Sequence, residues 1–229
     1  MKFDKYNRVA RLYPSLIILI PFLLFTINCR LANLENVFDS ILGVRIIGNI
    51  TISVVLLYFF IQINRFLGKF LFERIIFKNE LQMPTTRFML FNDNEFSREY
   101  KNQIRAKIKN DFQIELPSEF EESQNNENVR KRILEAVGLI RQKVKNGRLL
   151  LQYNIEYGFS RNLIGGSILG LLMSVFNIVY FYNINDKIIG GISIALAICF
   201  ALLLIICKPI INHLGNQYAK RLFQEYLQK

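Results

Sequence analysis

The stretch NLIGGSILGLLMSVFNIVYFYNIN, residues 162–185, runs for 24 positions without a charged residue, between Arg161 and Asp186. A helix rises about 1.5 Å per residue, so about 20 residues cross a hydrocarbon core of about 30 Å. This stretch is therefore long enough to span a membrane. Three other uncharged windows have a similar length: residues 12–29 (18 residues), 46–64 (19 residues) and 188–207 (20 residues).

The charged residues lie between these windows. The chain has 229 residues, of which 52% are hydrophobic, and 29 Lys and Arg against 18 Asp and Glu give a net charge of +11. Long apolar runs separated by charged segments are typical of integral membrane proteins, so we expect an all-α protein with four transmembrane helices. A cleaved signal peptide is the alternative for the first window, but its apolar core is long for that role and no A-x-A-like site follows it.

The distribution of Lys and Arg predicts the orientation of the chain. Residues 1–11, 65–161 and 208–229 hold 4, 18 and 4 of them, whereas residues 30–45 and 186–187 hold 2 and 1. Basic flanks stay on the cytoplasmic side, so both termini and the long middle segment should be cytoplasmic. The four spans then form two hairpins with a mostly helical cytoplasmic insert between spans two and three. The expected divisions are a first hairpin (1–65), the insert (66–161), a second hairpin (162–207) and a tail helix (208–229).

Polar and small residues within the spans are candidates for helix contacts or for the lining of a pore. Span two has polar residues that share a helix face at positions 49 and 53, and span three repeats small residues every four positions, which allows close helix packing with span four or with a second copy. The candidate residues are Asn49, Ser53, Gln62, Gly166, Gly170, Ser174 and Asn177. No window contains Lys, Arg, Asp or Glu, which argues against an ion-coupled transporter but leaves open a pore formed by several copies.

The insert shows two amphipathic helical patterns. One runs over residues 94–111, with apolar residues at every fourth position, and the other over about 126–145, with Asn146-Gly147 as a fitting helix end. The acidic stretch around Pro117 and Ser118 reads as a connector. The C-terminal tail, residues 210–229, repeats the amphipathic pattern and should pack against the insert or against another copy.

Basic residues cluster on the insert in three groups. A solvated helix face near anionic lipid is one interpretation, and an anion site for a nucleotide or oligonucleotide is the other, because Arg contacts phosphate in a bidentate way. The candidate anion-binding residues are Arg105, Lys107, Lys109, Arg130, Lys131, Arg132, Arg141, Lys143, Lys145 and Arg148. No glycine-rich phosphate loop accompanies them.

The sequence gives no indication of enzymatic chemistry. It has no H-E-x-x-H and no G-x-S-x-G, and His213 is its only histidine. The three cysteines show no spacing of a disulfide framework or a zinc site. We therefore expect no catalytic residues, no metal and no cofactor.

The order of two spans, a basic helical insert, two spans and a helical tail resembles the small multi-span membrane effectors of bacterial anti-phage defence systems. The resemblance is one of architecture and implies a multi-pass protein of the bacterial inner membrane that assembles into homo-oligomers and breaches the membrane when its cytoplasmic region is triggered. The primary hypothesis is thus an oligomeric, pore-forming effector gated by a nucleotide-like ligand or a cytoplasmic protein. The alternative is a non-conducting scaffold that recruits a cytoplasmic partner to the bilayer.

Overall fold

The structure, a computed structural model, describes residues 4–28, 45–124, 127–145 and 147–229, and for residues 45–53 and 73 it describes the backbone only. Every regular element in these ranges is helical. The helices are α1 (Tyr13–Asn28), α2 (Arg45–Lys69), α3 (Pro84–Arg87), α4 (Arg98–Phe112), α5 (Glu119–Ser123), α6 (Glu127–Lys143), α7 (Arg148–Asn183), α8 (Lys187–Ile205) and α9 (Cys207–Gln228). A π-helical stretch, Asn7–Leu12, precedes α1, and another, Phe70–Ile76, follows α2.

Four helical segments are long and apolar enough to cross a membrane: Asn7–Asn28, Val54–Ile76, Arg148–Asn183 and Lys187–Ile205. The prediction of an all-α chain with four membrane-spanning segments is confirmed at this level. The chain has the make-up of a multi-pass membrane protein.

The chain divides into two compact units. We call Met1–Lys69 with Phe159–Cys207 the apolar unit, and Phe70–Gly158 with Lys208–Lys229 the polar unit. In the described part of the apolar unit, many large apolar and aromatic side chains are exposed, such as those of Leu23, Phe59 and Ile198, while several serine and asparagine side chains are buried. This is the reverse of a water-soluble fold, and it suits a surface that faces lipid.

The polar unit has a hydrophobic core of its own. The core joins the segment around α3 to α4, α6, the first turn of α7 and α9, and it includes Phe88, Ile104, Ile133, Ile140 and Phe223, each fully buried. The apolar residues on α4 and α6 recur at the spacing that the sequence predicted, and this is why these helices can pack face to face.

Helix boundaries in the polar unit have local causes. Ser97 caps α4, its Oγ accepting from the backbone N–H of Tyr100, and Gln113 ends the helix with a left-handed φ of 60°. The segment expected to be a connector contains the short helix α5, because Ser118 and Glu121 form a capping box. The pattern S-x-x-E at residues 118–121 signals this helix, and the interpretation as a plain connector was wrong. The expected end of α6 at Asn146 lies outside the described residues.

Candidate functional site

Helices α2 and α7 meet through a reciprocal pair of Asn-x-x-x-Gly sequences. Asn64 and Gly68 lie one turn apart on α2, and Asn162 and Gly166 lie one turn apart on α7. The Oδ1 of Asn64 lies 2.8 Å from the place that a Cβ at Gly166 would occupy, and the Oδ1 of Asn162 lies 3.2 Å from the same place at Gly68. Each asparagine therefore fills the space that the glycine of the other helix leaves free.

The closest approach in this contact is between backbones. A Cβ added at Gly165 would overlap the backbone N of Gly68 and lie 2.5 Å from its Cα, which no real side chain tolerates. Small residues allow this approach, and van der Waals contact is a main source of stability between helices in lipid. We call the residues of this contact, Asn64, Gly68, Asn162, Gly165 and Gly166, the Asn–Gly crossing.

The same two asparagines bind the first helix to the crossing. The Nδ2 of Asn64 donates to Ser15 Oγ at 3.0 Å, and the Nδ2 of Asn162 donates to the backbone carbonyl of Ala10 at 2.6 Å. Pro14 has no N–H, so the carbonyl of Ala10, four residues earlier, lacks its α-helical donor. Asn162 supplies a hydrogen bond in its place, and the π-helical stretch Asn7–Leu12 lies at the same position.

Further polar side chains are buried in the apolar unit, among them Ser174, Asn177 and Ser193. The Nδ2 of Asn177 donates to the Pro21 carbonyl at 2.8 Å, and the hydroxyls of Ser174 and Ser193 donate to carbonyls one turn earlier in their own helices. Each of the three is fully buried. In the absence of water a polar side chain must find its acceptor in the protein, and these do so within one chain.

Of the residues expected to line a pore or to make helix contacts, four lie inside the single chain. Gly166 faces Asn64 and Ile18, Gly170 faces the ring of Phe200 on α8, and Ser174 and Asn177 are buried. The four thus make contacts within the chain and are not exposed on its outer surface.

The other three expected pore or contact residues lie on α2. Gln62 is partly buried and has no hydrogen bond among the described residues. The side chains of Asn49 and Ser53 lie outside the described residues. The polar face that the sequence predicted for span two is therefore not described as a whole.

The basic residues expected to bind an anion are mostly occupied within the polar unit. Among the described residues, eight of the ten donate to a carboxylate or a backbone carbonyl. The eight are Arg105, Lys107, Lys109, Arg130, Lys131, Arg132, Arg141 and Lys143. The remaining two, Lys145 and Arg148, are exposed and have no ion pair in the described part of the chain. The ten residues do not converge on one open site.

Arg105 is largely enclosed. Its guanidinium donates to Glu122 Oε1 at 2.6 Å, to the Met89 carbonyl at 2.8 Å and to the Pro117 carbonyl at 2.5 Å, and it lies 4.0 Å from the centre of the Phe91 ring. Burial lowers the pKa of Arg105, and the Glu122 carboxylate opposes that shift. Arg105 therefore joins α4 to the segments on either side of it and has little capacity for a ligand.

Arg130 and Arg141 stabilise a strained turn. Lys78, Asn79 and Glu80 have positive φ angles of 44°, 56° and 68°, a conformation that costs Lys78 and Glu80 about 1–2 kcal/mol each. Arg141 pairs with the Glu80 carboxylate at 3.1 Å, and Arg130 donates to the Leu81 carbonyl at 3.2 Å. Two residues that the sequence offered as phosphate ligands thus offset the cost of this turn.

Lys101 is a buried cation that was not among the predicted site residues. Only 2% of its surface is exposed, and its Nζ donates to the Leu90 carbonyl at 2.6 Å and to the Asp93 carbonyl. Burial lowers the pKa of Lys101, and Asp93 and Glu122 counteract that effect. Its position three residues before Ile104 places it on the apolar face of α4, and that spacing is the signal that could have revealed it.

Lys101 borders a small cavity of about 110 Å³. The cavity is lined also by Phe91, Asp93, Asn94, Phe96, Arg98 and Glu119. The Lys101 ammonium already donates to two carbonyls, and Arg98 pairs with Glu119, so both cations that line the cavity are occupied.

The end of α9 is anchored in the polar unit by polar contacts. The hydroxyl of Tyr226 donates to Asp111 Oδ2 at 2.8 Å, and Lys143 pairs with the same carboxylate at 2.6 Å. The hydrogen bond from Lys143 lowers the pKa of Asp111, while burial raises the pKa of Tyr226. The Glu225 carboxylate accepts from the Leu150 N–H at 3.0 Å, at the positive end of α7.

The chain offers no group of three or more His, Cys, Asp and Glu residues placed to hold a metal ion within the described ranges. No protein-family model, no curated protein and no solved structure matches this chain.

Proposed function

We propose that this protein is a non-conducting membrane scaffold that holds its polar unit at the inner face of the bacterial cytoplasmic membrane. One observation carries the proposal: the described apolar unit buries several serine and asparagine side chains, each of which donates a hydrogen bond within the single chain, and it exposes large apolar side chains. The donors of these side chains need no water-filled pathway, whereas the Oδ1 atoms of Asn64, Asn162 and Asn177 are buried without a hydrogen-bond partner among the described residues.

The polar unit supports this assignment because it is a folded module with its own core. Its cations pair mostly with its own carboxylates, so its described surface presents helices and ion pairs and not an open anion pocket, although the unit carries 19 Lys and Arg against 14 Asp and Glu. A module of this kind suits the binding of a cytoplasmic protein. A nucleotide would first have to displace the carboxylates that Arg105, Arg132 and Arg141 bind.

The two-hairpin topology with both termini in the cytoplasm is part of the proposal. Gly190 packs against the ring of Tyr182 and Gly170 against that of Phe200, which supports α7 and α8 running side by side in opposite directions. Reporter fusions after residue 107 and after residue 229 test the topology: both should report a cytoplasmic location, and a periplasmic location for either would contradict it.

Liposome leakage tests the absence of conduction. The purified chain, reconstituted into dye-loaded vesicles, should cause no leakage with or without added nucleotides. Cross-linking in intact cells should capture one cytoplasmic protein in a fixed ratio to this chain. A variant in which only exposed side chains of the polar unit are replaced should no longer capture that protein. Ligand-dependent leakage would overturn the scaffold assignment.

A second candidate is the oligomeric, pore-forming effector that the architecture resembles. The observation in its favour is on α8, where Gly191, Ala195 and Cys199 recur at every fourth position and are all exposed. A Cβ at Gly191 would meet nothing within 4 Å, so this face is open to close packing by another helix.

Disulfide cross-linking at Cys199 separates the two candidates. In a variant with Cys29 and Cys207 replaced by Ser, an oxidant in the membrane should produce a covalent dimer if copies pack through this face. The matched variant that retains only Cys207, which is partly buried, should not form one. A dimer at Cys199 together with leakage would favour the effector, and monomers without leakage would favour the scaffold.

A further inference from the structure

Cations lie beside the Asn–Gly crossing. Arg11 follows Ala10 in the sequence, and Arg65 follows Asn64. Since Ala10 and Asn64 take part in the hydrogen bonds that join α1, α2 and α7, the two arginines next to them lie at one end of the apolar unit. Lys5 and Arg8, just before Ala10, are exposed near the same end.

Carboxylates are scarce within the apolar unit. Among the described residues of the apolar unit the acidic ones are Asp4 and Asp186, and Asp186 follows α7 at the opposite end of that helix. Asp4 Oδ1 accepts from the backbone N–H of Asn7 at 2.8 Å. Arg8 and Arg65 have no ion pair in the described part of the chain, and Arg11 donates to the neutral amide of Asn7 at 2.7 Å.

Most arginines of the polar unit are held differently. Arg87, Arg105, Arg132 and Arg141 each pair with a carboxylate of that unit. By contrast, Arg8, Arg11 and Arg65 have no carboxylate partner within the described ranges. Cations at one end of a unit that lack carboxylate partners attract anions from their surroundings.

The position of these cations indicates which anion this is. Asn64 ends one uncharged window, and Arg11 directly precedes another, so the cations lie where the hydrocarbon core of a bilayer gives way to head groups. Lipid phosphates lie at that depth, and an arginine guanidinium matches a phosphate group in a bidentate way.

We propose that Lys5, Arg8, Arg11 and Arg65, the basic collar, form a binding site for the phosphates of anionic phospholipids. The site lies beside the Asn–Gly crossing, so a bound lipid would bridge the start of α1 and the end of α2 and stabilise the crossing. The partner is the anionic lipid of the bilayer, distinct from any soluble nucleotide. The proposal goes beyond the scaffold function and does not depend on it.

Thermal unfolding in vesicles of defined composition tests the site. The full chain is reconstituted in phosphatidylcholine alone and in phosphatidylcholine with phosphatidylglycerol, and the wild type is compared with R8Q/R65Q. Neither side chain takes part in the hydrogen bonds of the crossing. The double variant K145Q/R148Q is the matched control, because it removes the same charge from exposed residues of the polar unit.

The wild type and the control should unfold at a higher temperature in the anionic vesicles than in phosphatidylcholine, and R8Q/R65Q should lose most of that increase. In pure phosphatidylcholine all three should unfold alike, which shows that the variant is folded. The lipid retained after purification should be enriched in phosphatidylglycerol, with the enrichment about fivefold lower in the variant.

Any of three results would overturn the assignment. The wild type could unfold at the same temperature in both kinds of vesicle, or the control could lose as much of the temperature increase as R8Q/R65Q does. Inorganic phosphate could also stabilise the wild type in phosphatidylcholine vesicles as much as phosphatidylglycerol does. If R8Q/R65Q does not fold, the composition of the lipid that the purified wild type retains still tests the site. A composition equal to that of the bulk membrane refutes the site, and enrichment in phosphatidylglycerol supports it.

Discussion

The side-chain amide of Asn162 donates to the backbone carbonyl of Ala10 at 2.6 Å, in the place where Pro14 offers no N–H. A gap in the hydrogen bonding of the first helix is thereby filled by a side chain of α7. The carbonyl and the amide are 152 positions apart in the sequence, so the pairing is a property of the folded chain.

Replacing Asn162 by Ala should destabilise the chain by about 1–2 kcal/mol, because the Ala10 carbonyl then loses its side-chain donor in an apolar surrounding. In a Pro14→Ala background the same change should cost less, since an alanine at that position provides the missing N–H. A double-mutant cycle measured by unfolding in detergent gives the coupling. The exposed Asn183→Ala serves as the control and should be neutral. Equal costs of N162A in both backgrounds would disprove the link to Pro14.

The close backbone contact predicts a difference between two glycines. Gly165→Ala should destabilise the chain by about 1–3 kcal/mol, because its Cβ would overlap the backbone of Gly68. Gly191→Ala should be neutral or stabilising by about 1 kcal/mol, as its Cβ meets nothing within 4 Å and alanine favours the helix. Thermal unfolding of both variants in the same detergent measures the two changes in stability. Similar effects of the two changes would mean that α2 and α7 do not approach at this point.

The left-handed end of α4 predicts a stabilising change. Gln113→Gly should raise the free energy of unfolding by about 1 kcal/mol, because its φ of 60° strains every residue with a Cβ. Gln103→Gly, at an exposed position within the same helix, should lower it by about 1 kcal/mol. Hydrogen exchange of the α4 amides in the full chain reports both effects. A loss of protection in Q113G would show that the helix does not end in this conformation.

The Asp111 carboxylate makes the anchoring of α9 sensitive to acid. Its pKa is lowered in the folded chain by the hydrogen bond from Lys143 and then by that from Tyr226, so folding stabilises the ionised form. The contribution to stability is therefore present above the unfolded pKa of about 3.9 and is lost as the pH falls through the lower, folded value.

Asp111→Asn should therefore lower the free energy of unfolding by about 1 kcal/mol at neutral pH. The effect is small because the ion pair is partly exposed. The difference in unfolding free energy between wild type and variant should shrink as the pH falls below about 4. A difference that stays constant from neutral to acid pH would show that ionisation of Asp111 does not contribute.

Some features of this fold could be predicted from the sequence and others could not. The uncharged windows predicted four helices that are long and apolar enough to span a membrane, although the second, Val54–Ile76, extends past its window over charged residues. The apolar residues of α4 and α6, spaced at helical intervals, likewise predicted the helices that form the core of the polar unit.

The roles of individual polar residues could not be predicted in the same way. Arg105 and Arg141 read as phosphate ligands because their partners, Glu122 and Glu80, are brought to them only by folding. Asn64 and Asn162 were not among the predicted contact residues. Both begin an Asn-x-x-x-Gly sequence, but neither sequence by itself indicates that it packs against the other.

Thiol accessibility of a buried polar position tests the central claim that the buried polar side chains of the apolar unit donate within a core that water does not enter. Ser174→Cys, in a chain with Cys29, Cys199 and Cys207 replaced by Ser, is treated with a membrane-impermeant maleimide in membrane fragments open on both sides. Ser174 is fully buried, whereas Asn183, used as Asn183→Cys, is exposed at the end of α7. We predict labelling of N183C and none of S174C until the protein is denatured. Labelling of S174C at a rate close to that of N183C would reveal water along the bundle and contradict a dry core.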